Sequence, residues 1–247
     1  MTPHLETAIQ AARSAGSLLR EQFGSVLEVN AAEAHDIKLQ LDVEAQRCIE
    51  GIVLGRFPDH AILGEEGSSG VGGGWEWILD PIDGTVNFFY GIPHFCVSIA
   101  LRHAGVMQIG VILDPMRDEL WSVERGGVPS LNGRPIRVSA RTQLADSILT
   151  VGFSKSSSSI DAGLPLLDRM VHKARKCRMM GSAALDLAYV ATGRLDAYIE
   201  QGVNLWDIAA GQLLVESAGG RVDVRERSDA PGKLAVVAWN GITDLGL

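Results

Sequence analysis

The sequence predicts an α/β chain, with an α+β first half and an alternating α/β second half. Helical spacing fills the N-terminal stretch, short strand-like runs fill the middle, and the two kinds alternate from residue 154 onward. From His4 to Phe23, Leu5, Ile9, Ala12, Ala15 and Leu19 recur close to the helical period. A second helix is expected over Asp42–Phe57, with Ile49, Ile52, Val53 and Phe57 on one face. Gly24 and Pro58 lie just past their ends, as helix stops do. Strand-like runs follow at Ala61–Leu63, Trp75–Leu79, Phe95–Leu101, Val106–Leu113, Glu119–Val123 and Ser147–Val151, with a hairpin turn at Asp114–Asp118. Helical spacing returns at Gly163–Val171, Ser182–Ala191 and Asp207–Ala218, around strands at Ala197–Glu200 and Leu234–Ala238. Ser156–Ser159 reads as a polar linker, so the expected halves are 1–153 and 154–247 of one compact unit.

Composition narrows the function classes. The 247 residues are 46% hydrophobic and 21% charged, an ordinary globular balance. A net charge of −8 disfavours a nucleic-acid partner. No apolar run is long enough to span a membrane, and the N-terminus lacks the pattern of a secretory signal. Cys48, Cys96 and Cys177 show no paired spacing, so a reducing, cytoplasmic setting is expected.

The charge is unevenly spread. From Phe57 to Leu101 there is no Lys or Arg, while Asp59, Glu65, Glu66, Glu76, Asp80 and Asp83 carry −6 of the total −8. Clustered carboxylates must be solvated, protonated or neutralised by a cation. Glu65 and Glu66 follow the apolar Ala61–Gly64, and Asp80 ends Trp75–Asp80, a strand entering a turn. Carboxylates at strand ends suit a hard divalent cation such as Mg²⁺. Six glycines between Gly64 and Gly74 resemble a phosphate loop, but no Gly-Lys-Ser/Thr follows, and a surface loop accounts for the second half.

Trp77-Ile-Leu-Asp80-Pro-Ile-Asp83-Gly84-Thr85-Val-Asn87 is the most informative run. A strand delivers Asp80 to a turn stiffened by Pro81, and Gly84-Thr85 opens a short helix whose free N–H groups suit an anion. A phosphate beside two carboxylates needs positive charge, and a divalent metal is the simplest source. The same residues also make an ordinary turn. Leu205-Trp206-Asp207-Ile-Ala-Ala-Gly211 reads alone as a helix N-cap at Asp207, followed by Ala209, Ala210 and Gly211, small enough for close packing.

Together these runs resemble the inositol monophosphatase family, Mg²⁺-dependent and Li⁺-sensitive phosphomonoesterases. The resemblance rests on Trp77–Asn87, on Trp206-Asp207 through Glu216–Gly220, on Gly64-Glu-Glu66 and on Gly181-Ser-Ala-Ala184. It implies a layered αβαβα sandwich of the sugar-phosphatase type and a homodimer. It further implies two or three Mg²⁺ ions. Glu65, Asp80 and the Ile82 carbonyl would hold the first, and Asp80, Asp83 and Asp207 the second. A third would involve Glu65 and Asp80. Thr85 and Glu65 would position the attacking water, with Asp42 orienting Thr85. Gly84 and Thr85 N–H groups would take phosphate oxygens, and Asp83, Ser182, Ala183 and Glu200 would face the leaving alcohol.

The implied reaction is hydrolysis of a small phosphate monoester by metal-activated water, with inositol monophosphate as lead substrate. Alternatives are histidinol phosphate, fructose 1,6-bisphosphate, adenosine 3′,5′-bisphosphate and NADP. From a different class comes a catalytically idle regulatory protein, which would be expected to have lost a ligand. The chain departs from the family at Leu39, within His35–Asp42, where members carry Thr. Lys38 beside it is read as exposed or as a phosphate neighbour. Arg169–Arg178, with five Lys/Arg, is a solvated face, a second-phosphate pocket or a docking surface for an acidic partner. His94 and Cys96 are expected on one strand face, packed in the core, as are Trp75, Trp77, Trp121 and Trp239.

Overall fold

A computed structural model of the chain describes residues 1–33, 36–70, 74–154 and 156–247. His35, the middle of the glycine-rich stretch (71–73) and Lys155, just before the expected linker, lie outside them.

The two N-terminal helices form where apolar spacing predicts: α1 over Pro3–Gln22 and α2 over Gln40–Arg56. Thr2 caps α1, its side chain accepting from Leu5 N. Between them β1 (Val29–Glu33) and β2 (Asp36–Leu39) make a two-stranded sheet that leads into α2. Eight strands then build the main sheet: β3 (Ala61–Gly64), β4 (Gly67–Ser69), β5 (Trp75–Asp83), β6 (Cys96–His103), β7 (Val106–Asp114), β8 (Glu119–Glu124), β9 (Ser130–Leu131) and β10 (Arg134–Pro135). Their order is β10-β9-β8-β7-β6-β5-β3-β4, antiparallel except for β3 beside β5. The hairpin at Asp114 forms as expected, with Asp114 Oδ1 accepting from Met116 N and Arg117 N. The five-residue helix α3 (Thr85–Phe89) joins β5 to β6.

The second half alternates: β11 (Ile148–Gly152), α4 (Ser157–Lys173), β12 (Lys176–Arg178), α5 (Ala183–Ala191), β13 (Ala197–Val203), α6 (Leu205–Ser217), β14 (Arg221–Glu226) and β15 (Leu234–Trp239). Its strands form a mixed sheet of order β12-β11-β13-β15-β14. Helices α1 and α2 cover one face of the eight-stranded sheet, while α5 and α6 lie between the two sheets. Helix α4 covers the far face of the second. That is the expected αβαβα layering. Each interface has its own apolar core: Ala8, Ala15, Leu19, Ile49 and Val97 under α1 and α2, Ile112, Trp121, Leu187 and Leu214 around α5 and α6, and Leu149, Ile199 and Met170 beneath α4.

Two expectations need correction. Ser156–Ser159 is no linker: Ser156 is the N-cap of α4, its Oγ accepting from Ser159 N, and Ser157 onward is helical. Serine favours the cap, and amphipathic packing carries the next three serines into the helix. At Pro81 the strand does not turn but runs on to Asp83 through a bulge, Asp80 opposing Ser98 and Asp83 opposing Cys96. Ser98 and Cys96 share a face of β6, so Pro81 and Ile82 opposing the single Val97 bring Asp80 and Asp83 to one face. Proline, without an N–H, suits that unpaired position.

The small-residue expectation for α6 holds. A Cβ on Gly110 of β7 would stand 2.6 Å from Ala210 O, and one on Gly211 would meet Leu187 of α5. Trp77 and Trp121 are buried, whereas Trp75 is only partly covered. Cys48, Cys96 and Cys177 are unpaired. Among the described residues, no helix is long and apolar enough to cross a membrane.

Candidate active site

The residues expected to hold metal, water, phosphate and alcohol meet near the end of β5. Asp80, Ile82 and Asp83 end β5, Gly84 and Thr85 open α3, and Glu65 sits in the β3–β4 turn. Asp42 is in the first turn of α2, Ser182 and Ala183 start α5, Glu200 is on β13, and Asp207 is in the first turn of α6.

Local contacts explain each placement. Glu66 N donates to Gln46 Oε1 (2.9 Å), and Gly64 leaves the space Gln46 occupies, so α2 holds the Glu65-Glu66 turn. Gly84 adopts φ +97°, a conformation disfavoured for residues with a side chain. A Cβ there would approach His94 O at 3.0 Å. Thr85 Oγ1 donates to Ile82 O at 2.9 Å and lies 3.4 Å from Asp42 Oδ1. At the family's missing Thr, Leu39 is fully buried, and its backbone N donates to Asp42 Oδ2 at 2.8 Å. Apolar packing has replaced a hydroxyl, yet Asp42 stays oriented.

Asp83 is held by three donors of α5: Ser182 Oγ (2.6 Å), Ala184 N (2.7 Å) and Ala183 N (3.2 Å). It thus caps that helix from outside. Asp207 is not the N-cap of α6. Asn204 is, and Asp207, three residues on, accepts from Asn204 N at 2.7 Å. The N–H of the cap is the donor that a carboxylate at this position satisfies.

These carboxyls share an acidic, water-poor environment. Burial pushes Asp80 well above the usual carboxylate range, and Glu65, Asp83, Asp207 and Asp42 push it further. Burial likewise raises Asp42 to about 7, the Leu39 N–H opposing and Glu65 and Glu66 reinforcing. Asp207 rises to about 7 by burial, against the Asn204 N–H and Lys233. Asp83 is raised by burial despite its three α5 donors and the Cys96 thiol. Asp80 Oδ1 is buried with no hydrogen-bond partner among the described residues. An all-oxygen donor set with an orphaned carboxylate oxygen fits a hard cation such as Mg²⁺. Among the described residues no group of three His, Cys, Asp or Glu is drawn close enough together to hold a metal ion as it stands.

Several neighbours were not singled out for the site. Asn87 Nδ2 donates to His94 O (2.8 Å) and Met180 O (2.9 Å), tying α3 to the segment before Ser182. It stood inside the Trp77–Asn87 motif, which was the available signal. Cys96 Sγ lies 3.7 Å from Asp83 Oδ2, so this core residue also lines the site. Asp186 is fully enclosed, its carboxyl pushed well up by burial; an acid between leucines in an apolar helix was its signal. Lys233 Nζ donates to Asn204 Oδ1 (2.6 Å), and nothing in the sequence announces it. Lys38 Nζ is 3.5 Å from Glu66 Oε1 and half exposed. The gap in basic residues is thus filled at its rim by lysines from distant segments. His94 is buried, its ring 6.0 Å from that of Tyr189.

The basic run lies elsewhere. It spans the end of α4 and β12, where Lys176 pairs with Ile148, at the opposite end of β11 from Gly152. Arg175 pairs with Asp146, and Arg169 Nη1 donates to Gly246 O.

The family model described as the inositol monophosphatase family matches residues 1–243. Nus factor SuhB of Pseudomonas aeruginosa is 42% identical over 231 residues, covering 90% of this chain and 85% of that protein. Nus factor SuhB of Escherichia coli K12 is 39% identical over 227 residues, covering 90% and 85%. The extragenic suppressor protein suhB of Bartonella henselae superposes with a TM-score of 0.90 at 36% identity, over 97% of this chain and 94% of that one. Inositol monophosphatase from Anabaena gives a TM-score of 0.84 at 37% identity, over 96% and 90%. The chain belongs to the inositol monophosphatase family.

Proposed function

We propose that the chain is a Mg²⁺-dependent phosphomonoesterase acting on a small polyol or sugar phosphate, with inositol monophosphate as the lead substrate. The observation that carries this reading is the meeting of Asp42, Glu65, Asp80, Asp83 and Asp207 around a buried, unpartnered Asp80 oxygen. Glu65, Asp80 and the Ile82 carbonyl would hold one ion, and Asp80, Asp83 and Asp207 a second. A third would draw on Glu65 and Asp80. Bound there, Mg²⁺ supplies the positive charge that phosphate oxygens need and acidifies water.

The chain's own residues do the rest. Thr85, fixed by Ile82 O and Asp42, orients the attacking water together with Glu65. The N–H groups of Gly84 and Thr85 precede the first acceptors of α3 and receive phosphate oxygens. Asp83, Ser182, Ala183 and Glu200 face the leaving alcohol. The water oxygen bonds to phosphorus, the ester P–O bond breaks, and the alcohol departs with a proton. Phosphate monoesters are among the slowest biological bonds to hydrolyse, so preorganised charge is the effect of sufficient size. The position of the basic run disfavours a bisphosphate substrate, and histidinol phosphate remains the runner-up because Glu200 suits an amine. Li⁺ sensitivity, a homodimer and a cytoplasmic setting belong to the same reading.

A second reading draws on the name Nus factor borne by the SuhB relatives, a factor's name and not an enzyme's. On that reading the chain binds a macromolecular partner, with or without turnover. Phosphate release from the substrate panel separates the two. A Mg²⁺-dependent substrate supports the phosphatase. Silence from folded, Mg²⁺-loaded protein, with partner capture unaffected by Asp80→Asn, supports the factor.

A further inference from the structure

Behind the proposed alcohol side of the site lies a small built device of which the mechanism uses only Glu200. Tyr198 and Glu200 stand two residues apart on β13, so their side chains share a face. Tyr198 is fully buried, and its hydroxyl donates to Glu200 Oε2 at 2.8 Å. On the neighbouring strand β11, Gly152 is in register with Glu200 and Thr150 with Tyr198. A Cβ on Gly152 would overlap Glu200 Oε2. On the other side, Val236 of β15 is in register with Glu200 and buried. The carboxylate therefore lies in a slot with a bare strand on one flank, an apolar side chain on the other and a phenol as its tether. Asp186 of α5 faces the same region and disfavours the ionised forms of Glu200 and Tyr198, whereas the neutral Tyr198 hydroxyl makes a favourable contact with Glu200.

We propose that Tyr198, with the slot left by Gly152, is a positioning residue that fixes Glu200 to read a hydroxyl of the leaving alcohol, and so sets preference for polyhydroxylated phosphates. This rests on the phosphatase reading and on Glu200 facing the leaving group. With Oε2 engaged by the tether, Oε1 is the oxygen left for a ligand, since no other hydrogen bond to Glu200 arises among the described residues. A side chain as long as glutamate, untethered, samples many rotamers and loses that registration. The slot contributes nothing to a substrate whose leaving group has no hydroxyl.

The test compares inositol monophosphate with 4-nitrophenyl phosphate, both with Mg²⁺, using the full chain. Tyr198→Phe keeps the buried ring and removes only the tether. It should lower kcat/KM for inositol monophosphate about tenfold, chiefly through KM, and leave 4-nitrophenyl phosphate within about twofold. Gly152→Ala, which displaces the carboxylate from the other side, should show the same selectivity. In a Glu200→Ala background, Tyr198→Phe should add no further loss, because the two act as one unit. Equal loss on both substrates, no loss on either, or additive effects in the double variant would each overturn the assignment. A wild-type chain that hydrolyses neither substrate contradicts the phosphatase reading itself, and this inference with it.

Discussion

At the scale of single residues, Asp80 is the most constrained group: fully enclosed, touched electrostatically by four other carboxyls, and with one oxygen unpartnered among the described residues. Asp80→Asn keeps its shape and removes a buried charge, so folding should survive and the metal-free melting temperature should hold or rise. Turnover should fall by at least about a hundredfold, the scale on which even less direct metal-site changes act. Near-normal activity in steady-state assays contradicts the assignment. Thr85→Ala should lower kcat more than it raises KM, because its hydroxyl is aimed at water and not at ground-state substrate; a pure KM effect contradicts that role. Asp80, Asp83, Thr85 and Asp207 were legible at this scale because the Trp77–Asn87 and Leu205–Gly211 runs hold them at short spacing, and Glu65 because the charge is clustered. Asp42, Ser182, Ala183 and Glu200 came only through the family resemblance. Lys233 was legible in neither way: it reaches Asn204 between the adjoining ends of β13 and β15, strands far apart in the chain, and no local pattern encodes such a contact. Cys96 was assigned to the core alone, since its contact with Asp83 depends on the β5 bulge.

At the scale of elements, the bulge in β5 and the close seat of α6 set the site. Helix α6 carries Asp207 and packs on β7 where Gly110 admits Ala210 O. Gly110→Ala meets backbone and not a flexible side chain, so α6 must shift. A destabilisation of about 1–3 kcal/mol is expected, together with weaker Mg²⁺ binding by calorimetry. Gly211→Ala meets Leu187 at its Cβ, 2.5 Å away, so α5 must give way as well and a similar cost is expected. Unchanged Mg²⁺ affinity in Gly110→Ala contradicts α6 as the element that seats Asp207. The long helices and central strands were legible because their apolar periods are strong. The sequence reading passed over β1, β2, β4, β9, β10, β12 and β14. Most of these are two to five residues long, and β14 carries only two valines among charged residues. Their pairing partners define them, not their own pattern. The serines opening α4 were misread for a related reason, as capping and linker chemistry share the same residues.

At the scale of the whole molecule, five layers let segments far apart in sequence converge on one acidic end, and this convergence has consequences for stability. His94 offers a separate test. Burial, aided by Arg117, lowers it to about 4 from 6.5, so protons bind the unfolded chain more tightly. Its neutral form is accommodated fully above pH 6.5, and stability is lost as pH falls from there towards 4, by at most about 3 kcal/mol. His94→Asn should flatten melting temperature against pH in that window; an unchanged slope contradicts the assignment. Millimolar Li⁺ should inhibit Mg²⁺-dependent turnover, and full insensitivity would point to an altered second ion site. The most direct measurement is phosphate release by wild-type and Asp80→Asn protein, with and without Mg²⁺, from inositol monophosphate, histidinol phosphate, fructose 1,6-bisphosphate, adenosine 3′,5′-bisphosphate and NADP. The expected result is one preferred monoester, hydrolysed by the wild-type chain only when Mg²⁺ is present and not by Asp80→Asn. Hydrolysis indifferent to Mg²⁺ or to Asp80, or none from folded protein in Mg²⁺, would contradict the metal-dependent phosphatase.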